Sequence, residues 1–344
     1  MGINLRELIT KKEIGFNDLE NKKLVVDSFN VMYQFLTTIR MKDGQPLKDS
    51  HGNVTSHLNG IFFRTTNLMQ YNMKLAFVFD GKPPELKFKE IEKRSKLKEE
   101  AKLKYEKAKQ EEDIDAMKKY AGRTSRLTKE MIEEAKELIK AMGLPVIQAP
   151  SEGEAQAAHI VNKGEAFAEI SEDFDCLLYR VPRLIKNLAI TQKRKKLGAI
   201  AYETVKPSII DLKENLKALD INQEQLIVIG ILIGTDYNNG GVKGIGPKNA
   251  LKLVKQYKHD FDGLFREVKW DEYFDFSWYD IYELFKKMPV TDDYELKWKE
   301  INEKKVIELL VENHNFSRER VENSLSKLSD IRKKQEQGSL HKWF

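Results

Sequence analysis

One cysteine, Cys176, stands alone among 344 residues, so a disulfide framework is excluded. Six scattered histidines give no Cys/His zinc pattern either. The longest apolar run, 226–234, is too short to span a bilayer and stops at Thr235-Asp236. The N-terminus lacks the apolar stretch of a signal peptide. Met1-Gly2 is followed at position 6 by Arg6, where N-myristoylation wants Ser or Thr. No strand-like run leads into G-x-G-x-x-G or a Walker A loop, which disfavours a nucleotide site. These absences predict a soluble, cytoplasmic protein with about two domains' length of chain, at ~150 residues each.

Charge is present in quantity and is segregated. Lys plus Arg number 59 against 54 Asp plus Glu, a net charge of +5. The basic residues crowd 82–129 and Lys193-Arg194-Lys195-Lys196, whereas acids recur at the ends of apolar runs. A mild basic excess fits nucleic acid without demonstrating it.

Short apolar runs alternate with amphipathic ones, predicting an α/β fold with a mixed, mainly parallel twisted sheet flanked by helices. Strands are expected at 24–26, 75–79, 145–148 and 167–170, and helices from Asp27 through Leu36, at 58–71 and at 128–142. Between Phe88 and Tyr120 the chain is Lys/Glu/Ala-rich, with i,i+4 pairs such as Glu92/Lys96 that support a solvated helix. Beyond Asn222 the pattern is mostly helical, interrupted by the glycine-rich 240–247, and beyond Leu328 it is polar and charged.

Each of the four strand-like runs ends in acid: Asp27, Asp80, Glu152 with Glu154, and Asp173 with Asp175. Ligands of an open parallel sheet bind outside its carboxyl ends, so these acids are expected to share one crevice. Unpaired, they would repel one another and partly neutralise. Divalent cations resolve that conflict, and oxygen-only ligation points to Mg²⁺, with Mn²⁺ as the alternative. Two such ions ~3.5–4 Å apart activate a water and stabilise the leaving oxygen of a phosphodiester. The competing use of each acid, capping the helix that follows, is weaker for four strand ends together.

After Asp80-Gly81-Lys82-Pro83-Pro84, Lys87 falls near a helix start and Arg94 two turns on along the same face. Cations beside an acidic crevice suit a scissile phosphate. The turn Gly244-Ile245-Gly246-Pro247 with Lys243 and Lys248 is suited to presenting backbone N–H groups to a phosphate without reading bases. The final residues place Gln337, Leu340, Trp343 and Phe344 at the spacing of an aliphatic and aromatic plug for a hydrophobic pocket.

Taken together, these motifs identify the chain as a member of the flap endonucleases, the structure-specific 5′ nucleases of archaeal and eukaryotic replication. The resemblance runs nearly end to end, through Val78-Phe79-Asp80-Gly81-Lys82-Pro83-Pro84, Ala149-Pro150-Ser151-Glu152-Gly153-Glu154-Ala155, Ser171-Glu172-Asp173-Phe174-Asp175 and Gly234-Thr235-Asp236-Tyr237. It implies a PIN-like 5′ nuclease fold with a helical arch and a helix–two-turn–helix element. It divides the chain into an N-terminal nuclease region at 1–98, an arch at 88–128 and an internal nuclease region at 116–258, with the helix–two-turn–helix at about 226–256. A helical C-terminal part at 259–330 and a flexible tail at 331–344, carrying the clamp box 337–344, complete it.

The resemblance also implies roles. Asp27, Asp80, Glu152, Glu154, Asp173, Asp175 and Asp236 would hold two Mg²⁺; Asp236 follows a helix-like run and escapes the strand argument. Lys87 and Arg94 match the basic residues at the arch base, and Tyr33 matches the aromatic on which a nucleotide stacks. DNA contacts would come from Gly2, Lys87, Arg94, Glu152, Asp236 and the turn residues Lys243, Gly244, Gly246 and Lys248, where a monovalent cation can bridge to phosphate. His314 and Phe316 fall where a 3′-flap pocket is expected, though a lysine is usual there in eukaryotic relatives. Arg180 stands where relatives usually carry glycine. The implied activity is 5′ flap endonuclease with 5′-3′ exonuclease, acting in Okazaki-fragment maturation and long-patch repair, monomeric, and docked on the sliding clamp (PCNA). The chain ends at the clamp box, which favours an archaeal protein. A repair nuclease of the same superfamily and a non-catalytic clamp partner are the alternatives; the intact acids oppose the second.

Overall fold

The computed structural model describes residues 3–41, 43–111, 113, 116, 120, 124, 126–188, 193–195 and 202–340. Its sheet strands are β1 (Lys12–Glu13), β2 (Lys23–Asp27), β3 (Lys74–Phe79), β4 (Val146–Gln148), β5 (Ala168–Ile170), β6 (Arg183–Lys186) and β9 (Ser208–Asp211); β7 (Lys193–Lys195) and β8 (Tyr202–Thr204) form a separate antiparallel pair. The seven-stranded sheet runs β1-β9-β6-β5-β2-β3-β4. Its five central strands are parallel, and β9 and β1 are antiparallel additions.

Alternation along the strands explains why both faces are covered. Val25, Ala76 and Val78 enter one core, whereas Leu24, Val26, Leu75, Phe77 and Phe79 enter the other. The second core is closed by α1 (Ser28–Thr38), α2 (Ser56–Met69) and α4 (Lys129–Ala141), which bury Phe35, Phe62 and Leu138; α3 (Phe88–Gln110) rises beside it as the first limb of the arch. The first core is closed by α5 (Gly153–Asn162), α6 (Asp175–Leu178) and, after α7 (Leu212–Leu219), by α8 (Gln223–Ile233). Register pairs Val26 with both Phe77 and Ile170, and Phe79 with Gln148. The central strands therefore end level, and the residues after them meet along one edge.

Further on lie α9 (Pro247–Tyr257), α10 (Phe261–Glu267), α11 (Trp278–Lys287), α12 (Glu303–Ile307), a π-helical turn Glu308–Glu312 and α13 (Arg318–Leu340). Two expectations change here. Residues 288–302, read as helical, form an extended strap. Pro289 drives Met288 to extended backbone (ψ 129°). The strap then ties across the body through Trp298 Nε1 to the Leu75 carbonyl (2.7 Å) and Lys299 N to the Gly143 carbonyl (2.8 Å). The expected flexible tail is helical as far as Leu340: Ile331-Arg332-Lys333-Lys334-Gln335-Glu336-Gln337 are mostly good helix formers with no proline, and α13 continues through Gly338. Trp343, Phe344, Gly2 and part of the arch lie outside the described residues. Among the described residues, no helix is long and apolar enough to cross a membrane.

Candidate active site

The acids collect at the carboxyl edge of the sheet. Asp27 ends β2 and is also the N-cap of α1, its Oδ1 accepting the Asn30 N–H (3.1 Å) while Ser171 Oγ donates to Oδ2 (3.2 Å). Asp80 follows β3 and accepts the Gly153 N–H at the start of α5 (2.7 Å). A Cβ on Gly153 would lie 2.5 Å from that same Asp80 oxygen, so only glycine lets the acid approach. Capping and site-building are thus not alternatives here; the same carboxylates do both. Glu152 is the N-cap residue of α5, with Glu154 in its first turn. Asn30 Nδ2 donates to Asp173 (2.9 Å), and the Ile3 N–H donates to Asp175 (2.7 Å).

Asp236 arrives by another route. Helix α8 is buried nearly all round, and Gly234, at φ 103°, turns the chain out of it. Asn238 then pins the loop, accepting from Thr235 N–H (3.0 Å) and Oγ1 (2.7 Å) and donating to the Ile231 carbonyl (2.7 Å). The Tyr237 hydroxyl bonds that of Tyr179 (2.7 Å).

Burial and mutual repulsion dominate the electrostatics. Loss of water, then Asp80 and Asp173, push the Asp27 carboxyl up to about 8. Burial and then Glu152 raise Asp80 to about 6; burial and then Asp236 raise Asp175 to about 7. Glu154 is raised well above the carboxylate range by desolvation and then Asp175, Asp27 and Asp173. The mutual effects link all seven acids into one crevice.

The arch base meets that crevice. Lys87 Nζ lies 2.5 Å from Glu152 Oε2 and 3.6 Å from Asp236 Oδ2, and Arg94 Nη2 lies 2.5 Å from Asp236 Oδ1. Burial alone would lower the Lys87 ammonium, yet Glu152 and Asp236 raise it. Among the described residues, no three acidic, histidine or cysteine side chains converge as a formed metal cage. The donor set nonetheless fits a hard divalent cation: it is all oxygen, and burial pushes Asp27, Asp80, Glu154 and Asp175 toward the neutral form, which a bound cation would reverse.

Other expected residues are placed less uniformly. Tyr33 faces α3, with Lys98 Nζ 4.8 Å from its ring centroid. Gly244 has φ 86°, but Gly246 has φ −91° and open space where a Cβ would be. Neither strain nor internal packing demands glycine at 246, the N-cap of α9. Lys243 and Lys248 beside it are exposed. His314 is buried: its Nδ1 bonds Asp49 Oδ2 (3.0 Å) and its Nε2 lies 3.5 Å from Glu134. Phe316 packs against the second core. His314 thus secures the turn at Asp49 from within, and Phe316 is partly buried beside it in the chain. Arg180 takes φ 67°, so the turn keeps a left-handed, glycine-like shape without glycine.

Sequence reasoning missed Asn30, Ser171 and Glu169. The first two could have been found as polar residues three beyond Asp27 and two before Asp173. Glu169 is a wholly buried acid on β5 that accepts from Cys176 Sγ (3.2 Å) and is raised by burial and then Asp27.

Comparison with known proteins agrees with this geometry. Residues 1–101 match the XPG N-terminal domain and 143–236 the XPG I-region. Fold and acids thus define a metal-dependent nuclease of the XPG class, which hydrolyses phosphodiester bonds. Flap endonuclease 1 of Pyrococcus abyssi is 48% identical over 344 residues, spanning 100% of this chain and 98% of the relative. That of Thermofilum pendens is 51% identical over 347 residues, spanning 100% and 99%. The solved flap endonuclease-1 of Methanococcus jannaschii superposes with a TM-score of 0.75 at 40% identity, covering 96% of this chain and 98% of that one. The chain belongs to the flap endonuclease family.

Proposed function

We propose that the protein binds branched DNA and cuts it near the base of a 5′ flap, using two Mg²⁺ held by the seven acids, with an associated 5′-3′ exonuclease activity. Mn²⁺ is the alternative metal. The observation that carries this reading is the joining of Lys87 and Arg94 to Glu152 and Asp236, which sets two cations, suited to a phosphate, against the acids. Bound metal would supply a nucleophilic hydroxide and stabilise the leaving oxygen. Asp27, Asp80, Glu152 and Glu154 would hold it from one side, and Asp173, Asp175 and Asp236 from the other. Lys87 and Arg94 would turn from their carboxylate partners to the scissile phosphate, donating to charge that develops in the transition state. Tyr33 would exchange the Lys98 ammonium for a base.

Away from the reacting bond, the backbone at Gly244–Gly246 would clamp phosphate, aided by Lys243, Lys248 and a monovalent cation. A substrate left nicked after flap removal suits Okazaki-fragment maturation and long-patch repair. The 337–344 box would dock the monomeric protein on the sliding clamp (PCNA) in the cytoplasm. The test is cleavage of flap, nicked and single-stranded DNA with Mg²⁺. Preferential incision at the flap base is expected; equal rates on all three substrates would overturn the reading.

A further inference from the structure

One polar tie lies outside the groups so far given roles. Glu90, in the first turn of α3, is 8% exposed and carries neither metal nor expected DNA contact. Its Oε1 accepts the Arg94 Nε–H at 2.9 Å, one helical turn on. Asn239 Nδ2 lies 2.9 Å from Oε1 and 2.9 Å from Oε2 of the same carboxylate. Asn239 belongs to the loop that Asn238 pins, three residues beyond Asp236. The tie therefore joins the base of the arch to the loop carrying a metal-site acid, over a sequence separation of 149 residues.

We propose that Glu90 and Asn239 form a latch that positions Arg94 for the reaction; this rests on the reading of Arg94 above. The chemistry of the guanidinium gives the latch its use. With Nε engaged by Glu90, the side chain is fixed about its long stem, and Nη2 points at the crevice, where it meets Asp236. A phosphate replacing Asp236 would find that donor already aimed, without ordering a flexible arginine during the reaction. Asn239 fixes the carboxylate in turn, and as a neutral donor it adds no charge to compete with metal or DNA. The location of Glu90 near the α3 N-terminus is also favourable for a carboxylate. Neither residue touches the reacting bond; both are positioning residues.

The experiment measures single-turnover cleavage of a 5′-flap substrate at saturating enzyme and Mg²⁺, with flap affinity measured separately. Asn239→Leu removes the donor without adding charge at an exposed position, and it should slow cleavage ~10-fold or more while changing affinity less than about twofold. Asn239→Asp sets two carboxylates face to face and should do at least as much damage. The double variant Glu90→Gln with Asn239→Asp restores a donor–acceptor pair with reversed polarity and should recover most of that loss. In an Arg94→Ala background, Asn239→Leu should have no further effect. A general structural role predicts instead that Asn239→Leu slows the Arg94→Ala enzyme as much as the wild type, and that result overturns the latch. So does a wild-type rate for Asn239→Leu with its melting temperature unchanged, or a double variant no faster than Asn239→Asp. Arg94→Ala cleaving at the wild-type rate would sink the reading of Arg94 itself, a distinct outcome.

Discussion

Arg94 and Asp236 meet at 2.5 Å across the mouth of the acidic crevice, although 142 residues separate them in the chain. In the free protein each neutralises the other, and the proposed function has substrate phosphate displace Asp236 from Arg94. Lys87→Ala and Arg94→Ala should each lower the single-turnover rate by ~10²-fold or more, the scale of losing a transition-state donor. Affinity should change less, since many other lysines release counterions. Titrating binding and single-turnover cleavage side by side checks this; equal losses in both would make them ordinary binding residues.

Asp80→Asn keeps an acceptor for the Gly153 N–H and removes the charge. It should abolish cleavage with little loss of flap binding, as should Asp236→Ala. The folded-state carboxyl of Asp80 is raised to about 6 from 3.8, so folding binds its proton more tightly. Its cost to the metal-free fold therefore appears as pH rises through that interval and is full above it. Without metal, Asp80→Asn should melt at or above the wild type at pH ~8, with the difference gone by pH ~3.5. A variant that melts lower at pH ~8 would show that the acid is not repelled there.

What could be read in the sequence follows from local rules. Asp27, Asp80 and Asp173 end or follow apolar runs of strand length, and a parallel sheet sends such positions to one edge. Asp236 gave no such signal, because α8 is apolar on every face and lacks a period. The Glu90–Asn239 tie and the Asp49–His314 contact, made across 265 residues, depend on tertiary placement that no local pattern encodes; the strap at 288–302 had a local sign in Pro289, but its anchors at Leu75 and Gly143 did not. The extension of α13 is a different case: the segment is polar, yet its helix propensity is high.

The clamp box is tested without disturbing the site. Trp343→Ala with Phe344→Ala removes the two aromatics proposed as anchors, and loss of a buried aromatic anchor commonly costs ~2 kcal/mol or more in binding. Clamp binding and clamp-stimulated cleavage should disappear, with cleavage in the absence of clamp unchanged. Normal stimulation of the double variant would mean that docking lies elsewhere; a collapse of basal activity would mean that the aromatics belong to the body of the protein.

His314 gives the fold a pH signature separate from catalysis. Its pKa is raised above 6.5 by Glu134, 3.5 Å from its Nε2, and, against burial, by the hydrogen bond to Asp49; Glu134 is lowered to about 2 by the nearby His314 and then His57 rings. Neighbouring His57 is driven the other way, its burial favouring the neutral ring. A raised histidine stabilises fully below its unfolded pKa and loses that contribution as pH rises through the folded one. The lowered Glu134 stabilises above 4.5 and loses its contribution as pH falls toward about 2. The two windows overlap between roughly pH 4.5 and 6.5. Glu134 is 37% exposed, so solvent screening limits the effect to a modest one. His314→Gln should lower the melting temperature by about 2–4 °C at pH ~5.5 and by less at pH ~9. Thermal denaturation across that range decides it, and a deficit that grows toward alkaline pH would mean that His314 acts as a neutral ring.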